Sequence, residues 1–194
     1  MGAVSFSRDD YERAAATLLE VAGLAVVQAV REGKVPPPGT LPVEPPLQQP
    51  SGVFVTLRRR GRLRGCIGYP LPLYPMAEAC WRAAQQAALE DPRFLPVTEE
   101  ELEGLTVEVS ILTPGKEFTE LSEWRPGVDG VMLEAEGRRA LYLPEVAAET
   151  GWEGERFLTE LSLKAGLDPD AWKQPGTRLL RFQTVTSEGI VSEA

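Results

Sequence analysis

The stretch LRRRGRLRGCIGYPLP, from Leu57 to Pro72, places a thiol among positive charges. It contains five arginines and one of the two cysteines of the chain, Cys66. If the stretch forms a strand, Arg64 and Cys66 point to the same face, because side chains alternate along a strand. A neighbouring guanidinium favours the thiolate, which is the nucleophilic form of cysteine. The spacing therefore makes Cys66 a candidate nucleophile and Arg64 a candidate anion-binding residue.

Further residues could complete a site around the thiol. The glycines on either side of the cysteine would let a ligand approach the backbone, since glycine carries no side chain. Glu108 interrupts an apolar strand and is the best carboxylate to carry a proton for the thiol. Asp91 and Arg93 could form a charged pair near the mouth of the site. The catalytic candidates are Cys66 and Glu108, and the ligand-binding candidates are Arg64, Gly65, Gly68, Asp91 and Arg93.

Each candidate also has a purely structural interpretation. Cys66 could be an inert cysteine in a tightly packed strand, since free cysteine is often buried. Glu108 could face water from a strand edge. Asp91 and Arg93 could only mark the end of the preceding helix. Cys80 lies on an apolar helical stripe, so we predict it in the core.

Composition narrows the class of protein. The chain has 194 residues, of which 43% are hydrophobic, and this fits a globular protein of one domain or two small lobes. A net charge of -9 repels phosphate backbones and disfavours non-specific nucleic-acid binding. Because the chain has no histidine, it cannot use serine–histidine or cysteine–histidine catalysis or histidine metal sites. We predict neither a metal nor a cofactor.

The same composition carries information about the cellular setting. The two cysteines form no closely spaced framework, and no signal peptide or apolar run of membrane length is evident. These features predict a cytoplasmic protein without a membrane partner. Asparagine is absent and arginine is preferred to lysine, which is a hint of a thermophilic source.

Periodicity predicts the elements that position the candidate residues. Ser7 and Asp10 fit a capping box at the start of a long helix, and Thr98 and Glu101 fit another at a short helix. A hairpin turning at Arg60-Gly61 should carry the thiol. Further strands are predicted at 105–112 and around a turn at 136–137, with a closing strand at 177–185. Helices at both ends with hairpins between them predict an α+β fold on an antiparallel sheet flanked by helices.

Several segments resemble the AMMECR domain family. They are LRGCIG at Leu63–Gly68, DPRF at Asp91–Phe94, VEVSILTP at Val107–Pro114, GVDGVML at Gly127–Leu133 and FLTELSLKAGL at Phe157–Leu167. The resemblance covers nearly the whole chain, and the hexapeptide is its most specific part. Tyr69 departs from the pattern, in which a smaller residue such as threonine is expected.

The resemblance implies a single domain over residues 1–194 with two lobes. The larger lobe would hold both termini, the smaller would be rich in β-structure, and the cysteine motif would line a groove between them. Related domains occur beside Memo-like and radical-SAM partners, which implies a shared modification pathway but no established reaction.

Two functions remain open at this point. One is an enzyme, or an enzyme component, that binds a small anionic or nucleotide-like ligand around Arg64-Gly65-Cys66. The other is a non-catalytic binding or adaptor module in a modification pathway. The sequence does not decide between them.

Overall fold

The computed structural model describes residues 6–191. Within this range the chain divides into two compact units, each with its own hydrophobic core. Unit 1 runs to Leu112 and resumes at Val185, and unit 2 is Thr113–Thr184. Each unit contains helices and a four-stranded sheet with antiparallel ladders, so the predicted α+β class is confirmed.

Thirteen α-helices and β-strands follow one another along the described part of the chain. In order they are α1 (Arg8–Glu32), β1 (Val53–Arg59), β2 (Arg62–Tyr69), α2 (Met76–Leu89), α3 (Glu99–Leu102), β3 (Leu105–Leu112), β4 (Lys116–Glu117), β5 (Gly130–Ala135), β6 (Arg138–Tyr142), α4 (Pro144–Thr150), α5 (Gly154–Lys164), β7 (Arg178–Phe182) and β8 (Thr184–Ile190).

Helix α1 begins as the sequence predicts. The Ser7 backbone N–H donates to the Asp10 carboxylate at 2.8 Å, and the Ser7 hydroxyl accepts from the Asp10 backbone N–H at 3.2 Å. These reciprocal bonds form the predicted capping box. By length and composition α1 could span a membrane, in contrast to the prediction of no apolar run of membrane length. Half of this apolar stretch is buried within the protein, and the core helix of a soluble protein can have the same length and composition.

The sheet of unit 1 has the strand order β2-β1-β3-β8, and α1 and α2 pack against it. The β1–β2 hairpin turns at Arg60-Gly61, as predicted, with φ values of 52° and 74°. Positive φ at both central residues is the backbone of a type I′ turn, whose twist matches that of the flanking strands. The turn therefore sets β2 beside β1 at the edge of the sheet.

The sheet of unit 2 has the order β4-β7-β5-β6, and its core side is closed by residues such as Val131, Leu133 and Phe157. One prediction about this part of the chain is wrong. The segment 177–185, predicted as one closing strand, contains parts of two strands, β7 and β8, which belong to different sheets. The break falls at Gln183, whose backbone N–H donates to the Thr113 hydroxyl at 2.9 Å and whose carbonyl accepts from the Thr113 N–H at 2.8 Å.

Candidate functional site

Cys66, Thr56 and Glu108 form one row across three adjacent strands. Cys66 in β2 is directly opposite Thr56 in β1, and Thr56 is directly opposite Glu108 in β3. Directly opposed residues of antiparallel strands share a face of the sheet. The Thr56 hydroxyl donates to the Cys66 sulfur, with Oγ1 and Sγ 3.3 Å apart. The structure thus brings both catalytic candidates to one face, with Thr56 between them.

Apolar burial on the other face of the sheet fixes this row. Val55, Leu57, Val107 and Val109 alternate with the row residues and are almost fully buried in the core of unit 1. A slip of one residue would turn these side chains outward and bring Thr56 and other polar residues into the core. The register that aligns the row is therefore strongly specified.

The DPRF segment holds the backbone of Cys66. The Asp91 carboxylate accepts from the Cys66 backbone N–H at 2.8 Å, and from Arg93 Nε and Nη2 at 2.9 and 2.7 Å. Arg93 Nη2 also donates to the Cys66 carbonyl at 3.3 Å. The hydrogen bonds from Arg93 and Cys66 hold the pKa of Asp91 below its usual range, although burial acts in the opposite direction. Asp91 and Arg93 thus form a fixed ion pair at the edge of β2.

Arg93 is the guanidinium that interacts with Cys66. Its pKa is raised mainly by its hydrogen bond to Asp91, and further by its interaction with Cys66. The Arg93 side chain is 54% exposed, and no described residue accepts a hydrogen bond from its Nη1. Arg93 therefore combines a position beside the thiol with donors that remain open to solvent.

Arg64 lies at an irregularity in the hairpin. Leu63 is opposite Arg58 and Gly65 is opposite Leu57, so Arg64 has no partner residue in β1. This is a β-bulge, in which one strand carries an extra residue and the alternation of side chains is interrupted. The simple alternation that predicts a shared face for Arg64 and Cys66 is therefore interrupted at Arg64.

Four hydrogen bonds within the protein hold the guanidinium of Arg64. Its Nε and Nη2 donate to the Glu101 carboxylate at 2.8 and 2.7 Å, and Nη1 and Nη2 donate to the carbonyls of Leu95 and Pro96 at 2.8 and 3.1 Å. The bonds from Arg64 lower the pKa of Glu101 to about 2. Arg64 thus anchors the segment around α3, and this geometry favours Arg93 over Arg64 as the anion-binding residue.

The glycines around the cysteine are explained by close packing. A Cβ at Gly65 would lie 2.1 Å from the carbonyl oxygen of Ala87 in α2. A Cβ at Gly68 would lie 2.3 Å from the ring of Phe54. The space beside each glycine is filled by the protein itself, so neither glycine is needed to admit a ligand. Tyr69 is opposite Val53 on the core-facing side, and its hydroxyl donates to the Gln86 side chain at 2.9 Å.

Cys80 occupies the core, as the sequence predicts. It is fully buried in α2, and its Sγ donates to the Leu18 carbonyl at 3.4 Å. Burial raises the pKa of the Cys80 thiol well above its usual range. Cys66, by contrast, is partly exposed. Within residues 6–191, no group of three His, Cys, Asp or Glu side chains is placed to hold a metal ion.

Comparison with known proteins places this arrangement in a family. The model of the AMMECR1 family matches residues 19–187. The chain belongs to the AMMECR1 family. A protein of Thermococcus gammatolerans is 47% identical over 176 residues, covering 85% of each chain, and one of Methanothermobacter thermautotrophicus is 45% identical over 174 residues, covering 86% of this chain and 90% of the relative.

A solved structure is also similar. The crystal structure of an uncharacterized protein from Pyrococcus horikoshii matches with a TM-score of 0.77 and 37% identity, covering 94% of this chain and 93% of the other. These relatives come from thermophilic archaea, which fits the composition of this chain. The AMMECR1 match includes every residue of the candidate site, but it brings no reaction with it.

One residue of the site was missed from the sequence. Thr56 donates to the thiol, yet a threonine in a strand is a common choice for packing and carries no chemical signal. The register of the hairpin is the information that would have found it. That register depends on the bulge at Arg64, which the sequence pattern does not mark.

Proposed function

We propose that the sheet face around Cys66 is a thiol-dependent site for a small anionic substrate. Cys66 is the nucleophile, Arg93 binds the anionic group of the substrate, and Glu108 carries the proton. The observation that supports this most is the Arg93 guanidinium, which the buried Asp91 holds against Cys66 while its Nη1 stays open. A positive charge beside a thiol favours the nucleophilic form.

The proposed chemistry is a substitution at an electrophilic carbon. Because Glu108 is two strands from Cys66, the thiol proton passes to its carboxylate through water, and the Thr56 hydroxyl holds the sulfur through its hydrogen bond. The thiolate then forms a bond to the substrate carbon, and the bond from that carbon to the leaving group breaks. The leaving group takes the bonding electron pair and the proton from Glu108. A carboxylate has this role because the chain contains no histidine.

A non-catalytic binding module is the second candidate function, and one observation favours it. Asp91 and Arg93 bond to the N–H and the carbonyl of Cys66 at the edge of β2. These bonds protect the sheet edge from pairing with another strand. The motif then has a structural role that needs no reaction at Cys66, as expected of a non-catalytic module. For either function we propose a cytoplasmic protein, since both cysteines are free.

The two candidates differ in how Cys66 responds to charged reagents. We expect Arg93 to attract iodoacetate, which is an anion, more than iodoacetamide, which is neutral. The ratio of the two alkylation rates at Cys66 should fall about fivefold in Arg93→Gln, which corresponds to about 1 kcal/mol for an exposed ion pair. The rates are measured on native protein by peptide mass spectrometry.

Arg13→Gln is the matched control, because it removes the same charge from the exposed surface of α1. We expect it to leave the ratio as in the wild type. An equal ratio in wild type and Arg93→Gln would contradict the proposed anion-binding role and favour the binding module.

A further inference from the structure

Two like charges face each other on the sheet of unit 2. Lys116 in β4 is directly opposite Arg181 in β7. Directly opposed side chains on antiparallel strands are close neighbours, and like charges at such positions are destabilising. No described residue forms an ion pair with Lys116 or accepts a hydrogen bond from it. The repulsion is therefore not offset by a local acidic partner of Lys116.

Arg181 is poorly satisfied for a largely buried guanidinium. Its side chain is 21% exposed, and its Nε is buried with no hydrogen-bond partner among the described residues. Among the described residues, Arg181 forms an ion pair only with Asp129. Oδ2 of Asp129 lies 4.0 Å from Nη1 of Arg181, beyond hydrogen-bond distance. Burying a charged donor without an acceptor is costly. Contacts among the described residues thus do not offset the cost of burying the Arg181 guanidinium.

Asp129 cannot offset these charges, because other donors already occupy its oxygens. It accepts from Arg125 Nε and Nη2 at 3.0 and 2.9 Å, from the Arg125 backbone N–H at 3.1 Å, and from Gln183 Nε2 at 3.0 Å. Burial would raise the pKa of Asp129, but the bonds from Arg125 and Gln183 hold it below its usual range. Arg125 and Arg181 therefore share one carboxylate whose oxygens are already occupied, and Lys116, directly opposite Arg181, adds a third positive charge.

On the opposite face of the same sheet, positive side chains are paired with negative ones. Arg178 pairs with Glu117 at 3.3 Å and with Glu134 at 3.1 Å, and Arg139 pairs with Glu134 at 2.6 Å. The arginines on that face are thus paired with nearby glutamates, whereas Lys116 and Arg181 face each other. Two opposed positive charges stand out in a chain whose net charge is -9.

We propose that Lys116, Arg125 and Arg181 bind the phosphate group of a small molecule. The three cations exceed the one carboxylate by two charges, which suits a dianion. Arginine presents planar donors that match phosphate oxygens, and lysine adds a point charge. The bound phosphate would lie between Lys116 and Arg181 and turn their repulsion into a shared attraction.

Calorimetric titration with inorganic phosphate tests the proposal, with acetate as a singly charged comparison at the same ionic strength. The wild type should bind phosphate more tightly than acetate. Arg181→Gln and Lys116→Gln should each weaken phosphate binding about tenfold, which corresponds to about 1.4 kcal/mol. Arg178→Gln, on the opposite face of β7, is the matched control and should bind phosphate as the wild type does.

A second measurement covers the case in which Arg181→Gln does not fold. Without phosphate, Lys116→Gln should unfold at a higher temperature than the wild type, because a repulsion is removed. With saturating phosphate the wild type should unfold at the higher temperature, because it binds phosphate more tightly and is stabilised more by it. Wild type that binds phosphate no better than acetate, equal phosphate affinity in wild type and Lys116→Gln, or an unchanged order of unfolding temperatures would each overturn the proposal. All these residues lie in unit 2, so such a failure would leave the proposal for Cys66 untouched.

Discussion

Replacement of Gly65 by alanine is expected to lower the free energy of unfolding by about 3 kcal/mol. A Cβ at this position would lie 2.1 Å from the carbonyl oxygen of Ala87 and 3.1 Å from its carbonyl carbon. Both atoms belong to the backbone of α2, so no side-chain rotation can relieve the contact. The helix must move away from the sheet, and it loses packing against the core of unit 1. Urea denaturation followed by circular dichroism measures the change.

Gly23 provides the matched control in α1. A Cβ there would have no neighbour within 4 Å, so the substitution adds no clash. Gly23→Ala should raise the free energy of unfolding by about 0.5 to 1 kcal/mol, because alanine favours the helix over glycine. Wild-type stability in Gly65→Ala would contradict the packing explanation for this glycine and restore the view that it leaves room for a ligand.

Replacement of Asp91 by alanine is expected to lower the free energy of unfolding by about 2 to 3 kcal/mol at neutral pH. The carboxylate is 2% exposed and accepts from the Cys66 backbone N–H and from Arg93. Its removal leaves the backbone donor of Cys66 without its acceptor and frees the Arg93 side chain. Arg93 is more than half exposed and can be hydrated, which keeps the loss below that of a fully buried pair.

The pH dependence of this effect has a definite sign. Because the pKa of Asp91 is lower in the folded protein than in the unfolded chain, its stabilising contribution is complete above the unfolded pKa of about 3.9 and is lost as the pH falls. The stability difference between wild type and Asp91→Ala should therefore narrow below about pH 4. Asp91→Asn, which keeps one acceptor oxygen, should lie between the two at pH 7. A difference that does not change between pH 7 and pH 3 would contradict this assignment.

Most elements of the fold could be predicted because their local signals agree with their packing. The capping residues Ser7 and Asp10, the turn at Arg60-Gly61 and the alternation of β3 each appear in the structure as the sequence indicates. The break at Gln183 could not be predicted. Apolar and polar residues continue through it at similar spacing, and only its bonds to Thr113, distant in sequence, end the strand.

The candidate site was predicted in part, and the bulge is the reason. A two-residue turn at Arg60-Gly61 with regular pairing would place Cys66 opposite Val55, on the core face. The extra residue at Arg64 shifts the register by one, so that Cys66 lies opposite Thr56 and on the face of Glu108. Residue types alone do not mark a bulge.

The sequence also does not show which arginine interacts with Cys66 in the fold. Arg64 is close to Cys66 in sequence and Arg93 is distant, so spacing along the strand favoured Arg64. In the fold, Arg64 is bound by Glu101, while the turn after α2 returns Asp91 and Arg93 to the edge of β2. Such a contact between distant segments depends on how α2 packs on the sheet, which no local pattern contains.

The central claim, that Cys66 is an accessible nucleophile, is tested most directly by labelling both thiols of the native protein with iodoacetamide over a pH series. Peptide mass spectrometry follows each cysteine separately, and Cys80 serves as the internal control because it is fully buried and its thiol has a raised pKa. The account predicts that Cys66 labels in the folded protein and that Cys80 labels only after denaturation. Labelling of Cys66 that waits for denaturant, or labelling of Cys80 at the same rate as Cys66, would contradict it.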